Sequence, residues 1–535
     1  MSRSYVIRNG LVHDGLGGEP RRADVGIDGD RIVAVGDVAT TEDCAQIDAT
    51  GLVVAPGLIN VLSHAWQTIQ LDGSCRSDLV QGVTTEVFGE GVSLGPSSRA
   101  LLEAVPERAG TRLDFPRLSA GLDHIEAGGT SVNVASFIGG QNLRVLAAGA
   151  DDRPLTGDEL NTLCALVDEE MADGALGIAT ALIYAPESYA TTEDLIRLAE
   201  VVGRHDGLYI SHLRSEGDRF LECLDELIEI GRRAACRVEA YHLKAGGTHN
   251  HHKMRLAIDR ITAARASGQQ VGADMYPYVA ACTDLAAAIP PRHHAGGPAA
   301  LAARLAEPAT RALIVAEMDA RDGDFENLFM GAGRGRGIVF LRDLADGTAA
   351  AGRTLAEVAG AMGIGHPAAA LLEIVRADPT QQVCYFVMSE DNVRLGLVQP
   401  WVSICSDAEA VGPGSLRDEL THPRAYGSFA RILGHYSRDL GLFPLAEAIR
   451  KMTSLPARTL RLTDRGRLAP GAFADVIVFD PAEVRDLADY DDPRQYATGM
   501  RHVLVNGQPV LADGEVLAAR PGRRLRRGSS GPARG

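Results

Sequence analysis

Five polar residues stand where apolar runs of this chain end: His64, Glu90, His212, His242 and Asp407. Zinc favours imidazole nitrogen and carboxylate oxygen in a site of few ligands with an open position. A further carboxylate at such a site can take and return protons as a general base and acid. His212 closes GlyLeuTyrIleSerHis (207–212), and His242 closes CysArgValGluAlaTyrHis (236–242). A lone histidine in such a place is usually structural, but two at matching positions on successive runs point to shared ligation. Asp407 ends TrpValSerIleCysSerAsp (401–407), and Glu90 follows ThrThrGluValPheGly (84–89). The tract HisAsnHisHis (249–252), together with His293 and His294, lies outside any apolar run. These histidines read as solvated loop groups or contacts near the site's mouth.

Such groups converge only if the runs lie side by side. Besides those four, the apolar runs are ValAlaProGlyLeuIleAsnVal, 132–139, 174–180 and 270–276, with helical stretches such as Thr191–Gly203 and Phe220–Ala235 in the gaps. Continuous apolar strands alternating with helices imply a parallel sheet with both faces covered. About eight such units make an α/β fold of the (β/α)8 TIM-like barrel type, over residues 56–464, with its active site at the C-terminal strand ends. The long gap at 285–395, between the seventh and eighth strands, reads as an insertion near the barrel mouth, either a lid or a packed subdomain. Residues 1–55 and 465–515 carry short alternating strands with AspGlyAsp and AsnGly turns, so both termini are expected to build one small β-sandwich.

The chain has 535 residues, 45% of them hydrophobic, and a net charge of -17. That supports a large core and argues against general nucleic-acid binding, which requires a basic face. The basic run Arg520–Arg527 leads into GlySerSerGly, and 518–535 is expected to be a disordered basic tail. Eight scattered cysteines fit reduced thiols in a cytoplasmic protein. The start MetSerArgSerTyrValIleArgAsn has no apolar core of signal-peptide length, and no run approaches the ~20 apolar residues of a membrane helix.

Longer motifs carry a resemblance. The stretch Asp48–Ala65 has the frame ProGly-apolar-IleAsp-x-His-x-His that opens the barrel of many metal-dependent hydrolases. With it stand GlnGlyValThrThrGluValPheGlyGluGly (81–91), GlyAlaLeuGlyIleAlaThrAlaLeuIleTyrAlaPro (174–186) and TyrIleSerHisLeuArgSerGlu (209–216). HisLeuLysAlaGlyGly (242–247), AspMetTyrProTyr (274–278) and HisProArgAlaTyrGlySerPhe (422–429) complete the set. Together these resemble the N-acyl-D-amino-acid deacylase (D-aminoacylase) family of the amidohydrolase superfamily, over nearly the whole chain.

The resemblance implies a zinc-dependent hydrolase of N-acyl-D-amino acids. His212 and His242 would be zinc ligands, and Asp407 the general acid/base. His64 would help stabilise the oxyanion. Lys244, Tyr276 and Arg424 match positions that hold the α-carboxylate of the acyl amino acid substrate. The departures are specific. Leu62 replaces the first histidine of the frame, Asn60 its aspartate, and GlyGluGly stands where the family has a cysteine ligand. Glu90 is the expected substitute ligand, with Glu86 as a weaker alternative, and one tightly held zinc is expected rather than two. Cys282, where relatives place a small residue, reads as a structural free thiol. Competing readings are another amide substrate, such as a dipeptide ending in a D-residue or a cyclic amide, and a metal-poor binding protein.

Overall fold

The computed structural model describes residues 4–39, 44–105, 109–321, 323–415 and 420–528. All eight apolar runs form strands. Leu58–Asn60, Val83–Phe88 and Asn133–Ser136 make a three-stranded parallel sheet. Ile138–Gly139, Gly177–Ala181, Leu208–His212, Arg237–Ala240, Val271–Met275 and Val402–Ile404 make a six-stranded one, again parallel. The two sheets meet at both ends. At one, Asn133–Ser136 runs on through Phe137 into Ile138–Gly139. At the other, the Asp407 amide donates to Leu62 O at 3.0 Å and the His64 amide to Ala408 O at 2.9 Å.

The Asn60 side chain fastens this second seam. Its Nδ2 donates to Ser406 Oγ at 2.8 Å and to Glu86 Oε2 at 2.9 Å, and its Oδ1 accepts from the Ser406 amide at 3.0 Å. Amphipathic helices fill the gaps between strands. Thr192–Arg204 begins with a capping box, Thr191 accepting from the Asp194 amide and Asp194 accepting in return. It buries Leu195, Ile196, Leu198, Ala199, Val201 and Val202. Phe220–Arg233 repeats the pattern with Cys223, Leu224, Leu227 and Ile230 turned inward.

Between Val271–Met275 and Val402–Ile404 lies a segment with its own three-stranded antiparallel sheet, Ala281–Asp284, Gln382–Tyr385 and Ile338–Phe340. Helices such as Pro298–Ala306 and Pro367–Ala377 pack on it around a separate apolar cluster containing Leu301, Phe329, Phe340 and Leu371.

Both ends of the chain enter one nine-stranded sheet. Val53–Pro56 is the hinge of it, parallel to Tyr5–Val12 on one side and antiparallel to Val476–Phe479 on the other. The strands expected to form a sandwich follow one hydrogen-bonded path, and Arg31–Gly36 at its edge bridges back to Phe473, so that Val25, Ile32, Val476 and Val478 share one apolar cluster. The basic segment expected to be disordered is also ordered as far as it is described. Arg523 O accepts from the Val134 amide at 2.9 Å, and Val134 O accepts from the Leu525 amide at 2.8 Å. Arg524 reaches Asp123 at 2.9 Å, and its amide donates to Glu126 at 2.8 Å. A run of like charges solvates itself only where nothing neutralises it, and here acids on neighbouring elements do. The rest of that segment, 529–535, lies outside the described residues. Among the described residues no helix is long and apolar enough to cross a membrane.

Candidate active site

The five strand-end residues converge, with Glu90 at the centre. Its Oε1 lies 3.2 Å from His212 Nδ1 and 3.0 Å from His242 Nε2. Its Oε2 lies 3.1 Å from His64 Nε2, which is 3.0 Å from Asp407 Oδ1. Glu90, His212 and His242 can bring three donor atoms within 4.8 Å of one another, and so can His64, Glu90 and Asp407. Two nitrogens and one carboxylate oxygen are a donor set that suits a zinc ion with an open position. Glu86 joins no such group among the described residues. It points into the core, accepts from Asn60, and is pushed well above the usual carboxylate range by burial and then by Asp78.

Backbone geometry aims these side chains. Glu90 sits between Gly89 and Gly91, with φ of 122° and 64°. A Cβ on Gly89 would come within 2.7 Å of Phe137 O, so only glycine lets the chain turn off its strand there. His242 and Asp407 themselves have left-handed φ of 31° and 49°. Such conformations are costly outside glycine and persist where the surroundings impose them, commonly at functional sites. The His242 amide is held by Asp274 Oδ1 at 2.8 Å, and the Asp407 amide by Leu62 O.

Charge is arranged in opposed pairs. Burial works against ionisation of Asp407, but Arg424, with Nη1 at 2.5 Å from Oδ2, and His64 hold the carboxyl at about 2. Burial works against protonation of His64 as well, and its hydrogen bonds to Asp407 and Glu90 raise it to about 10. Glu90 is kept well below the usual range because the surrounding imidazoles, His242 foremost, outweigh its burial.

The residues expected to meet a substrate carboxylate divide. Arg424 and Tyr276 stand together beside Asp407, the guanidinium 4.7 Å from the ring centroid. Beyond Asp407, Arg424 makes only a long contact to Cys282 O at 3.4 Å, and its buried Nε has no acceptor. The Tyr276 hydroxyl lies 3.6 Å from Met388 Sδ. Lys244 also lies near the Tyr276 ring, 6.0 Å from its centroid. Its ammonium is buried and pairs with Glu216 Oε2 at 2.5 Å. The reason is electrostatic: a fully buried carboxylate such as Glu216 requires a cation. Cys282 is a free, half-buried thiol. Of the loop histidines, exposed His249 pairs with Asp218 at 2.6 Å and His293 with Glu317 at 2.8 Å, and among the described residues none joins a donor group.

Four residues of the site escaped the sequence reading: Glu216, Glu326, Asp274 and Tyr184. Tyr184 packs edge-on to His212 with centroids 5.6 Å apart, and its hydroxyl donates to Thr283 at 2.9 Å. Asp274 carried a usable signal, an acid near the end of an apolar strand, and so did Glu216, four residues beyond His212.

Comparison with known proteins fits this geometry. The model of a family described as the amidohydrolase family matches residues 45–511. The chain belongs to the amidohydrolase family. It is 34% identical to the D-aminoacylase of Alcaligenes xylosoxydans xylosoxydans, over 98% of this chain and 97% of that one. It is likewise 34% identical to the N-acyl-D-glutamate deacylase of the same organism, over 98% and 97%. The crystal structure of D-aminoacylase superimposes with a TM-score of 0.81 at 32% identity, covering 98% of this chain and 99% of that one. The N-acyl-D-glutamate deacylase from Bordetella bronchiseptica, complexed with zinc and a phosphonate that mimics the tetrahedral intermediate, gives 0.81 at 30% identity, covering 98% and 100%. This amidohydrolase therefore falls in the N-acyl-D-amino-acid deacylase branch, as its motifs indicated, among enzymes that hydrolyse linear amides.

Proposed function

We propose that this amidohydrolase cleaves the amide bond of N-acyl-D-amino acids, releasing a carboxylate and a free D-amino acid. The observation that carries the reading is the juxtaposition of a three-donor metal group, Glu90, His212 and His242, with the Asp407–Arg424 pair. The D configuration rests on what the relatives act on. The two parallel sheets, joined at both ends, are read as one closed (β/α)8 barrel spanning 56–464. Residues 285–395 form an insertion at its mouth, and 1–55 with 465–515 a module of their own. Eight free cysteines support a reducing, cytoplasmic setting.

Glu90, His212 and His242 would hold one zinc ion. When bound, zinc supplies Lewis acidity, polarising the acyl carbonyl and lowering the pKa of a coordinated water from 15.7 towards ~7. The second donor group suits an ion less well. It has a single imidazole, which both carboxylates already share, and Asp407 is tied to Arg424.

The chain's own groups have separable tasks. Arg424 holds Asp407 Oδ2, so the proton taken from the attacking water and delivered to the leaving nitrogen is handled at Oδ1, the oxygen that meets His64 at 3.0 Å. Protonated His64, between Glu90 and Asp407, places positive charge beside the oxygen that becomes anionic. The remaining donors of Arg424, set over Tyr276, take the α-carboxylate, since a guanidinium fork matches two carboxylate oxygens. Strand Ala281–Asp284 borders the site from the insertion side, its Thr283 bonded to Tyr184 and its Cys282 carbonyl to Arg424.

The test is to purify the protein without added metal, measure bound metal by plasma mass spectrometry, and assay paired N-acetyl-D- and N-acetyl-L-amino acids. About one zinc per chain and release from the D series alone is the expected result. No metal, and no activity once zinc is restored, would refute catalysis. Metal without deacylation would move the assignment to another amide.

A further inference from the structure

We propose that Glu216 is a shared positioning residue of the metal site, one carboxylate behind both imidazoles that fixes which nitrogen of each can ligate. The inference rests on the reading of Glu90, His212 and His242 as the metal-holding group. A neutral imidazole that ligates through one ring nitrogen carries its proton on the other, and that outer N–H needs an acceptor. The two rings use opposite nitrogens here. His242 turns Nε2 to Glu90 at 3.0 Å and Nδ1 to Glu216 Oε1 at 3.1 Å. His212 turns Nδ1 to Glu90 at 3.2 Å and Nε2 to Glu216 Oε2 at 3.4 Å. The rings stand nearly perpendicular, centroids 4.4 Å apart and planes at 79°, so one carboxylate can reach both outer nitrogens.

Three further contacts hold Glu216 in place. Lys244 lies 2.5 Å from Oε2. That ammonium also lies 2.7 Å from His242 Nδ1 and 3.1 Å from His242 O. Once Nδ1 carries a proton, Lys244 donates to Glu216 and to the carbonyl instead. The Glu216 amide donates to Glu326 Oε2 at 2.7 Å, and its carbonyl accepts from the Gly246 amide at 2.7 Å. Glu326 belongs to the insertion, so that segment braces the loop behind the histidines. His212 Nε2 is buried without a hydrogen-bond partner, and Glu216 Oε2, 3.4 Å away but not aligned for a hydrogen bond, is the acceptor that a slight tightening around an ion would bring onto it.

Only a carboxylate satisfies this position. A glutamine of the same shape has one accepting oxygen, and its amide N–H groups would face either an imidazole N–H or the Lys244 ammonium. Loss of such an outer partner weakens metal binding by about 10- to 100-fold.

The experiment compares zinc affinity of wild type, Glu216→Gln and the double variant Glu216→Gln/Lys244→Met, by competition with a chromophoric chelator. Thermal melting of each metal-free protein checks folding, and the absorption spectrum of the cobalt-loaded form reports ligand geometry. The single variant is expected to bind zinc about 10- to 100-fold more weakly with an altered cobalt spectrum. The double variant, which removes the buried charge pair together, is expected to stay weak. Wild-type affinity in the single variant would overturn the proposal. So would recovery in the double variant, because Glu216 would then serve only to neutralise Lys244. Wild-type protein that takes up no zinc would defeat the underlying metal reading itself, and the proposal with it.

Discussion

Arg424 touches both halves of the proposed chemistry, and replacing it separates them. Its Nη1 holds Asp407 Oδ2 at 2.5 Å, while its Nε is a buried donor without an acceptor. In Arg424→Met, Asp407 loses its principal cation and its carboxyl rises from about 2. That effect is the same for every substrate. The loss of a charge-assisted contact to the substrate's α-carboxylate is felt only by substrates that have one. Such a contact contributes about 1.5–3 kcal/mol, or roughly 10- to 150-fold in rate constant. The assay is kcat/KM for release of the amino product from N-acetyl-D-methionine and from its α-carboxamide, in both proteins. Wild type is expected to favour the acid, and the variant to lose about 10- to 150-fold of that preference on top of any loss common to both substrates. If both substrates slow equally and the ratio is kept, Arg424 serves Asp407 alone and the carboxylate assignment is wrong.

Glu90→Ala is expected to abolish zinc retention through gel filtration, whereas Glu86→Gln, altering an acid held by Asn60 outside the donor groups, should leave zinc content unchanged; equal loss in both would refute the ligand assignment. Asn60→Ala removes three buried hydrogen bonds at the seam and strands the Ser406 amide, which should destabilise by about 2–5 kcal/mol. Urea denaturation checks this through a lower midpoint at unchanged slope, and an unshifted midpoint would show that the seam does not depend on Asn60.

The strand-end residues were legible in the sequence because each is announced locally. An apolar run long enough for a strand, closed by His, Asp or Glu, fixes both the element and the end at which the polar group stands. The pairings among those groups were not legible. The resemblance assigned Lys244 to a substrate carboxylate, and its pairing with Glu216, on a different loop, could not be read from the sequence. The basic run near the C-terminus read as solvated because its neutralising acids, Asp123 and Glu126, lie some four hundred residues earlier. Contacts made across such separations depend on how strands are ordered in space, which local patterning does not encode.

Leu62, which stands where the resemblance expects a histidine, keeps a structural part that does not depend on its side chain. In sequence, the missing histidine weakens the case for a metal. In the structure the Leu62 side chain is fully buried in an apolar cluster with Ile59, Val61 and Val87, while its carbonyl accepts the amide of Asp407. A backbone carbonyl is the same whatever side chain the residue carries. The substitution therefore removes one imidazole without disturbing the bond that holds Asp407 in its left-handed conformation. Glu90, a carboxylate where the family has a thiolate, then stands opposite two imidazoles on one side and a single shared imidazole on the other. That asymmetry, and not the number of acidic and imidazole groups, is the ground on which one tightly bound ion is proposed rather than two.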